Sequence, residues 1–177
     1  MEQLLQTLLG IPEAGALAAA AEGGGCPAAV TGLAPVHRAQ IAAALARESG
    51  RPLVVVCSDE GEASRLAGDL ETLLGRAPLK LFARELFVRQ GAVASRQWEL
   101  GRIAVLYRLS QGLEGETVVC TAEGLLQKTS PLRRLRSAAV SLELGGRYDL
   151  ADLPRRLIDA GYTRADQVEG VGQFALR

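Results

Sequence analysis

The chain has 177 residues, enough for one ordinary domain or for one domain and the start of another. Apolar residues make up 48% and aromatics 4%, so any core is built from leucine, valine and alanine. The 20 basic and 20 acidic residues cancel, which excludes overall charge as a draw towards nucleic acid or an anionic membrane and leaves binding to a local patch.

No run reaches the roughly 18 apolar residues of a membrane span, and the N-terminus lacks the basic-then-apolar layout of a signal peptide. A soluble, cytoplasmic protein without a membrane partner is the expectation. Cys26, Cys57 and Cys120 are too widely spaced for a zinc or redox motif. Cys57 and Cys120 each end an apolar run and read as small core residues.

Leu4, Leu5, Leu8 and Leu9 predict a helix over 2–9, closed by Gly10 and Pro12. A second, alanine-rich helix is expected over 14–22, before Gly23-Gly24-Gly25. Pro27 to Gly32 then reads as a buried strand and glycine turn, and Val36 to Leu45 as a helix. Strand, turn and helix start make the place where nucleotide-binding α/β proteins hold a phosphate. The phosphate loop G-x-x-x-x-G-K-[ST] is broken here, however. When Ala29 to Gly32 are laid over its start, Ala34 replaces its second glycine, Pro35 its lysine and Val36 its magnesium-binding hydroxyl.

Leu53 to Cys57 is a continuous apolar run, as for a strand covered on both faces. Asp59 and Glu62 have N-cap spacing before a helix whose inner face is Ala63, Leu66, Ala67, Leu70, Leu73 and Leu74, ended by Gly75. Leu79 to Phe82 is a short strand. Ser95 caps a helix to about Gln111 with Leu100, Ile103, Ala104 and Tyr107 inward. Thr117 to Cys120 is another buried strand, followed by a helix over 122–128. This alternation predicts a three-layer α/β domain over 1–137, with a parallel sheet between helices. A smaller α+β domain is expected to begin at 138. There Ala139 to Leu144 alternates like a strand, Gly145-Gly146 turns, and a helix starts at Asp149 or, with Pro154 in its first turn, at Asp152. Gly161 stops it, and Tyr162 to Arg177 reads as extended structure ending before its pairing partner.

His37 is the only histidine and lacks the companions of a metal site or a catalytic base. Arg133, Arg134 and Arg136, and Arg155 with Arg156, read as solvated helix surface whose better functional use is protein docking. Trp98 reads as a core edge. Gly170-Val171-Gly172 has no strand-to-helix context for a dinucleotide fingerprint.

Several segments together resemble the N-terminal region of the bacterial transcription-repair coupling factors. They are Val30-Thr31-Gly32, Arg51 to Val56, Ala83-Arg84-Glu85-Leu86, Leu125 to Lys128, and above all Gly161-Tyr162 and Asp166 to Arg177. The resemblance implies a UvrB-like module: an ATPase-like domain that has lost its nucleotide site, joined to a domain that recruits UvrA. It implies a full-length ATP-dependent DNA translocase that uses ATP and magnesium and acts on stalled RNA polymerase and double-stranded DNA through parts outside these residues. For this segment it implies no catalytic residue, metal or cofactor. Arg177 matches an arginine of the family's UvrA-contacting surface, while Asp166, Gln167 and Glu169 match as turn-fixing residues. A divergent nucleotide-binding hydrolase is the alternative.

Overall fold

A computed structural model describes residues 2–24, 27–83 and 96–176. In chain order the elements are α1 (Glu2–Leu9), α2 (Pro12–Gly23), α3 (Pro35–Ser49), β1 (Leu53–Cys57), α4 (Glu60–Leu74), β2 (Leu79–Leu81) and α5 (Arg96–Ser110). They continue with β3 (Thr117–Thr121), α6 (Ala122–Leu126), α7 (Leu132–Ala138), α8 (Asp152–Asp159), β4 (Thr163–Arg164) and β5 (Gln173–Phe174). Cys26, Ser95, Arg84 to Leu86, Arg177 and the side chain of Trp98 lie outside the described residues. No single helix among the described residues is long and apolar enough to cross a membrane.

The chain forms two compact units, Met1–Arg84 with Gly112–Gln127, and Glu85–Gln111 with Lys128–Arg177. In the first, three parallel strands lie in the order β1-β3-β2, with Val55 opposite Val119 and Leu81 opposite Cys120. The central strand β3 is buried along its length, as its run of β-branched and small residues requires. Helix α4 lies against the sheet, α3 packs on α4, and α1 packs on α3. Ala39, Ala43 and Ala44 of α3 meet Ala63, Ala67 and Leu70 of α4 in one buried cluster with Val119 and Cys57. Alanines on both helices let the backbones approach closely, so little side-chain entropy is lost in forming this contact.

The boundaries of α4 have clear local causes. The Asp59 carboxylate accepts the Glu62 N–H at 2.8 Å, and Gly75, at φ +73°, closes the helix by donating its N–H to the Glu71 carbonyl. In a capping box the third residue reaches back to the cap's own N–H. Here Glu62 reaches one residue further, to the N–H of Ser58 at 3.0 Å.

Several sequence expectations are corrected. Residues 27–32 form no strand and are exposed, with Val30 51% accessible. Apolar content alone does not make a strand; a neighbour must accept its ladder bonds, and none of the described strands does. Cover on both faces of β1 is likewise not found, since Val54 and Val56 stay 50% and 52% exposed on the face opposite the buried cluster. The three-layer expectation therefore fails at this edge of the sheet.

In the second unit α5 packs on α7, α8 packs on β4, and β4 pairs with β5 in parallel. Helix α8 starts at Asp152, with Pro154 in its first turn as anticipated, and Gly161 follows its end at φ +94°. The inner face of α5 differs in part from the expected one. Leu100 and Tyr107 are half-buried as expected, but Ile103 and Ala104 are exposed, while Val105, Leu106 and Leu109 are half-buried and Ser110 is buried. Apolar residues occur almost all round this helix, so its periodicity does not single out one face. Residues 139–144 form no strand, though the turn exists and Gly146 donates to the Glu143 carbonyl at 3.0 Å. Tyr162 onward is not left without a partner, because β4 and β5 pair with each other.

Candidate functional site

Two places can be built from the residues upward. The first is the junction of β1, α4 and the start of α3, where the sequence points to a failed phosphate loop. Gly32 takes a left-handed conformation at φ +79°, and Ala34 caps α3 with no side-chain hydrogen bond. Pro35 occupies the first helical turn, so one of the backbone N–H groups that an anion would use is missing. Val36 and His37 follow as exposed residues. Arg38, the first cation along this helix, is already engaged: its Nη1 lies 3.0 Å from Glu62 Oε1.

Glu62 is the hub of this junction. Its other oxygen accepts the Ser58 N–H at 3.0 Å and the Ser58 hydroxyl at 2.8 Å. These bonds hold its carboxyl below the usual glutamate range, the Ser58 N–H contributing most, the hydroxyl next, and Arg38 less. Asp59 is held down in the same sense, first by the Glu62 N–H and then by the Ser58 hydroxyl. An ionised carboxylate, Glu62, thus stands beside the start of α3 and neutralises its cation, an arrangement suited to joining helices and unfavourable to a polyphosphate. Among the described residues no group of three or more His, Cys, Asp and Glu side chains could hold a metal ion. Cys57, at the end of β1, is buried, and burial pushes its thiol up, as it does for Cys120.

The second place is the β4–β5 pair. Thr163 donates its N–H to the Gly172 carbonyl and Ala165 to the Phe174 carbonyl, each at 2.9 Å. The connecting loop is fixed from inside by Gln173, whose Oε1 accepts the N–H groups of Glu169 at 2.8 Å and Gly170 at 3.1 Å. The turn expected from Asp166, Gln167 and Glu169 is therefore organised by Gln173, with Glu169 contributing its backbone. Gln173 was not singled out from the sequence; its place just after Gly170 and Gly172 was the available signal. Arg177, three positions beyond β5, lies outside the described residues.

Charge is unevenly divided between the units. The second has 13 basic against 8 acidic residues, a surplus of five, and the first 7 against 12, a deficit of five. Exposed arginines of the second unit include Arg133, Arg134 and Arg136 on α7 and Arg155 and Arg156 on α8.

No family model matches the chain. It is similar to three transcription-repair-coupling factors, 33% identical to that of Myxococcus xanthus over 82% of its length, 28% to that of Bacillus subtilis over 84%, and 26% to that of Staphylococcus aureus (strain USA300) over 84%. In each case the chain spans about 13% of the relative's own length. The chain is related to the transcription-repair-coupling factors and corresponds to a segment of them.

Proposed function

We propose that this chain is a non-catalytic docking module of a transcription-repair coupling factor and that it recruits UvrA in nucleotide excision repair. The observation that carries the non-catalytic part is the junction at Arg38 and Glu62. A helix start that begins with Pro35, offers no hydroxyl at Val36 and has its arginine paired with a carboxylate lacks what holds ATP and magnesium. In this reading residues 1–137 are a degenerate P-loop-like domain serving as rigid support, and 138–177 begin the partner-binding domain. The parent protein is cytoplasmic, and its ATP-dependent translocation on double-stranded DNA and its action on RNA polymerase belong to parts outside these residues. The exposed Arg155 and Arg156 on α8 support a protein partner, since arginine is over-represented at interface hot spots.

The test is UvrA binding by the full-length protein with and without Arg177→Ala. A loss of about 2 kcal/mol or more is expected for an arginine hot spot. Unchanged affinity would remove Arg177 from the contact surface, and absence of any UvrA binding would remove the function.

A further inference from the structure

The cations of the second unit are not spread evenly over it. Between Glu123 and Glu143 the chain has no acidic residue, while Lys128, Arg133, Arg134 and Arg136 fall within a short stretch of it. All four are exposed, and among the described residues none of them forms an ion pair. Helix α7 packs on α5 with Leu135 half-buried, while its three arginines stay in solvent. Nor does α5 neutralise them, since its described charged side chains are Arg102 and Arg108 against Glu99. Arg155 and Arg156 on α8 are placed differently: Asp152 and Asp159 lie one helical turn to either side of them and offset their charge.

Like charges held this close repel one another until a counter-charge meets them. The remaining side chains of residues 128–138 indicate which one. Thr129, Ser130 and Ser137 carry hydroxyls, no residue is acidic or aromatic, and Leu132, 47% exposed, is the one exposed leucine. A protein partner would find no apolar centre here, and an unpaired base no ring to stack on. Guanidinium, ammonium and hydroxyl groups are instead the usual contacts to phosphate oxygens, and duplex DNA presents those oxygens as a dense, regular array. We infer that Lys128 and the exposed side of α7 form a contact for the sugar-phosphate backbone of duplex DNA, one that does not read its sequence. Such binding is weak and strongly dependent on salt, because it is driven by the release of counterions. The site is separate from the UvrA reading, and the test of one does not decide the other.

The experiment follows the fluorescence anisotropy of a labelled duplex of random sequence, about 20 base pairs long, titrated with the 177-residue chain. The wild type should bind with a Kd on the order of 10 μM at about 50 mM salt and about sixtyfold more weakly at about 200 mM, a log-log slope of about −3 for three or four neutralised phosphates. Arg133→Gln combined with Arg134→Gln and Arg136→Gln should weaken binding at the lower salt at least about tenfold and flatten the slope to about −1, with an unchanged melting temperature. Each single variant should lower the slope by about 1, which keeps the site testable if the triple variant folds poorly. Lysine at the same three positions keeps the charge and should keep the slope. Arg155→Gln with Arg156→Gln on α8 is the control and should change the affinity less than about twofold, as expected for cations already offset by Asp152 and Asp159. Absence of binding by the wild type at the lower salt overturns the site. A slope unaltered by the glutamine variants also overturns it, as does equal weakening by the α8 pair, which would mean that net charge alone is felt. If poly-glutamate displaces the duplex as well as unlabelled DNA does at equal charge concentration, the cations serve an acidic protein and the assignment to nucleic acid falls.

Discussion

Arg38 and Glu62 stand 24 positions apart and meet at 3.0 Å, joining the start of α3 to the first turn of α4. The two partners contribute unequally. Arg38 is more than half exposed and makes one ion pair among the described residues, so Arg38→Ala should cost no more than about 0.5 kcal/mol, the usual value of a surface pair. Glu62 also accepts from the Ser58 N–H and hydroxyl, and Glu62→Ala should cost about 1 kcal/mol more than Arg38→Ala. Urea midpoints at constant slope would measure both, and equal losses would contradict the hub role of Glu62.

The same junction sets an acid dependence. Asp59 and Glu62 both have folded-state pKa values below their unfolded ones, so the unfolded chain binds protons first as pH falls. Their contribution is present above the ordinary carboxylate range and is lost as pH drops through the lower folded values. Stability should therefore decline below about pH 4 by this route, and Glu62→Gln, which keeps an acceptor oxygen and cannot titrate, should flatten part of the decline. Unfolding followed from pH 2 to 7 would show it; parallel curves for the two proteins would count against the assignment.

At the other end of the pH scale the two buried thiols have the opposite sign. Burial raises the pKa of Cys57 and Cys120, so the folded chain holds these protons longer than the unfolded one, and stability should fall as pH rises above the ordinary thiol value. In a Cys26→Ser background, reaction with a thiol reagent at pH 8 should proceed no faster than the chain opens, and urea should accelerate it in step with unfolding. Immediate modification of the native protein would show that the sheet does not protect them.

What the sequence made legible was local. The continuous run Leu53 to Cys57, the Asp59 cap, the Gly75 stop and the inward set Ala63, Ala67, Leu70 and Leu73 are each decided by neighbours within a few positions, and the structure has them where they were read. Residues 27–32 and 139–144 carry strand-like patterns, but strand formation depends on a partner, which a pattern within one segment does not contain. The same limit hid the pairing of β4 with β5, two residues each and held as much by the Gln173 side chain as by the ladder. At the failed phosphate loop the missing groups at Ala34, Pro35 and Val36 were legible residue by residue. The ion pair that engages Arg38 was not, because it depends on how α3 packs against α4.

Gly124 follows from a close approach that only the folded structure reveals. A Cβ at this position would lie 2.6 Å from the Leu81 carbonyl oxygen and 3.2 Å from the Phe82 carbonyl carbon, and neither backbone group can turn aside as a flexible side chain would. Thr121 brings the backbone here by accepting the Gly124 N–H at 3.1 Å at the start of α6. Gly124→Ala should destabilise by about 1 to 3 kcal/mol, the range for forced overpacking. Gly68→Ala makes a control, since nothing lies within 4 Å of its Cβ and alanine is the better helix former; it should stabilise slightly. Thermal melts of the two variants should move in opposite directions.

The nucleotide question has a direct answer by calorimetry. Titration with ATP and magnesium should give no saturable heat up to about 1 mM, a concentration at which even a 1 mM complex is worth only about 4 kcal/mol. Pro35→Lys would return both the backbone N–H and the cation of a phosphate loop, yet binding should not appear. Val36 still offers magnesium no oxygen, and the ionised Glu62 remains beside the same helix start to disfavour the triphosphate. Micromolar binding by the wild type would show that the segment kept a nucleotide site by another route. Micromolar binding gained by Pro35→Lys alone would mean that proline, and not the ion-paired carboxylate, is what closed it.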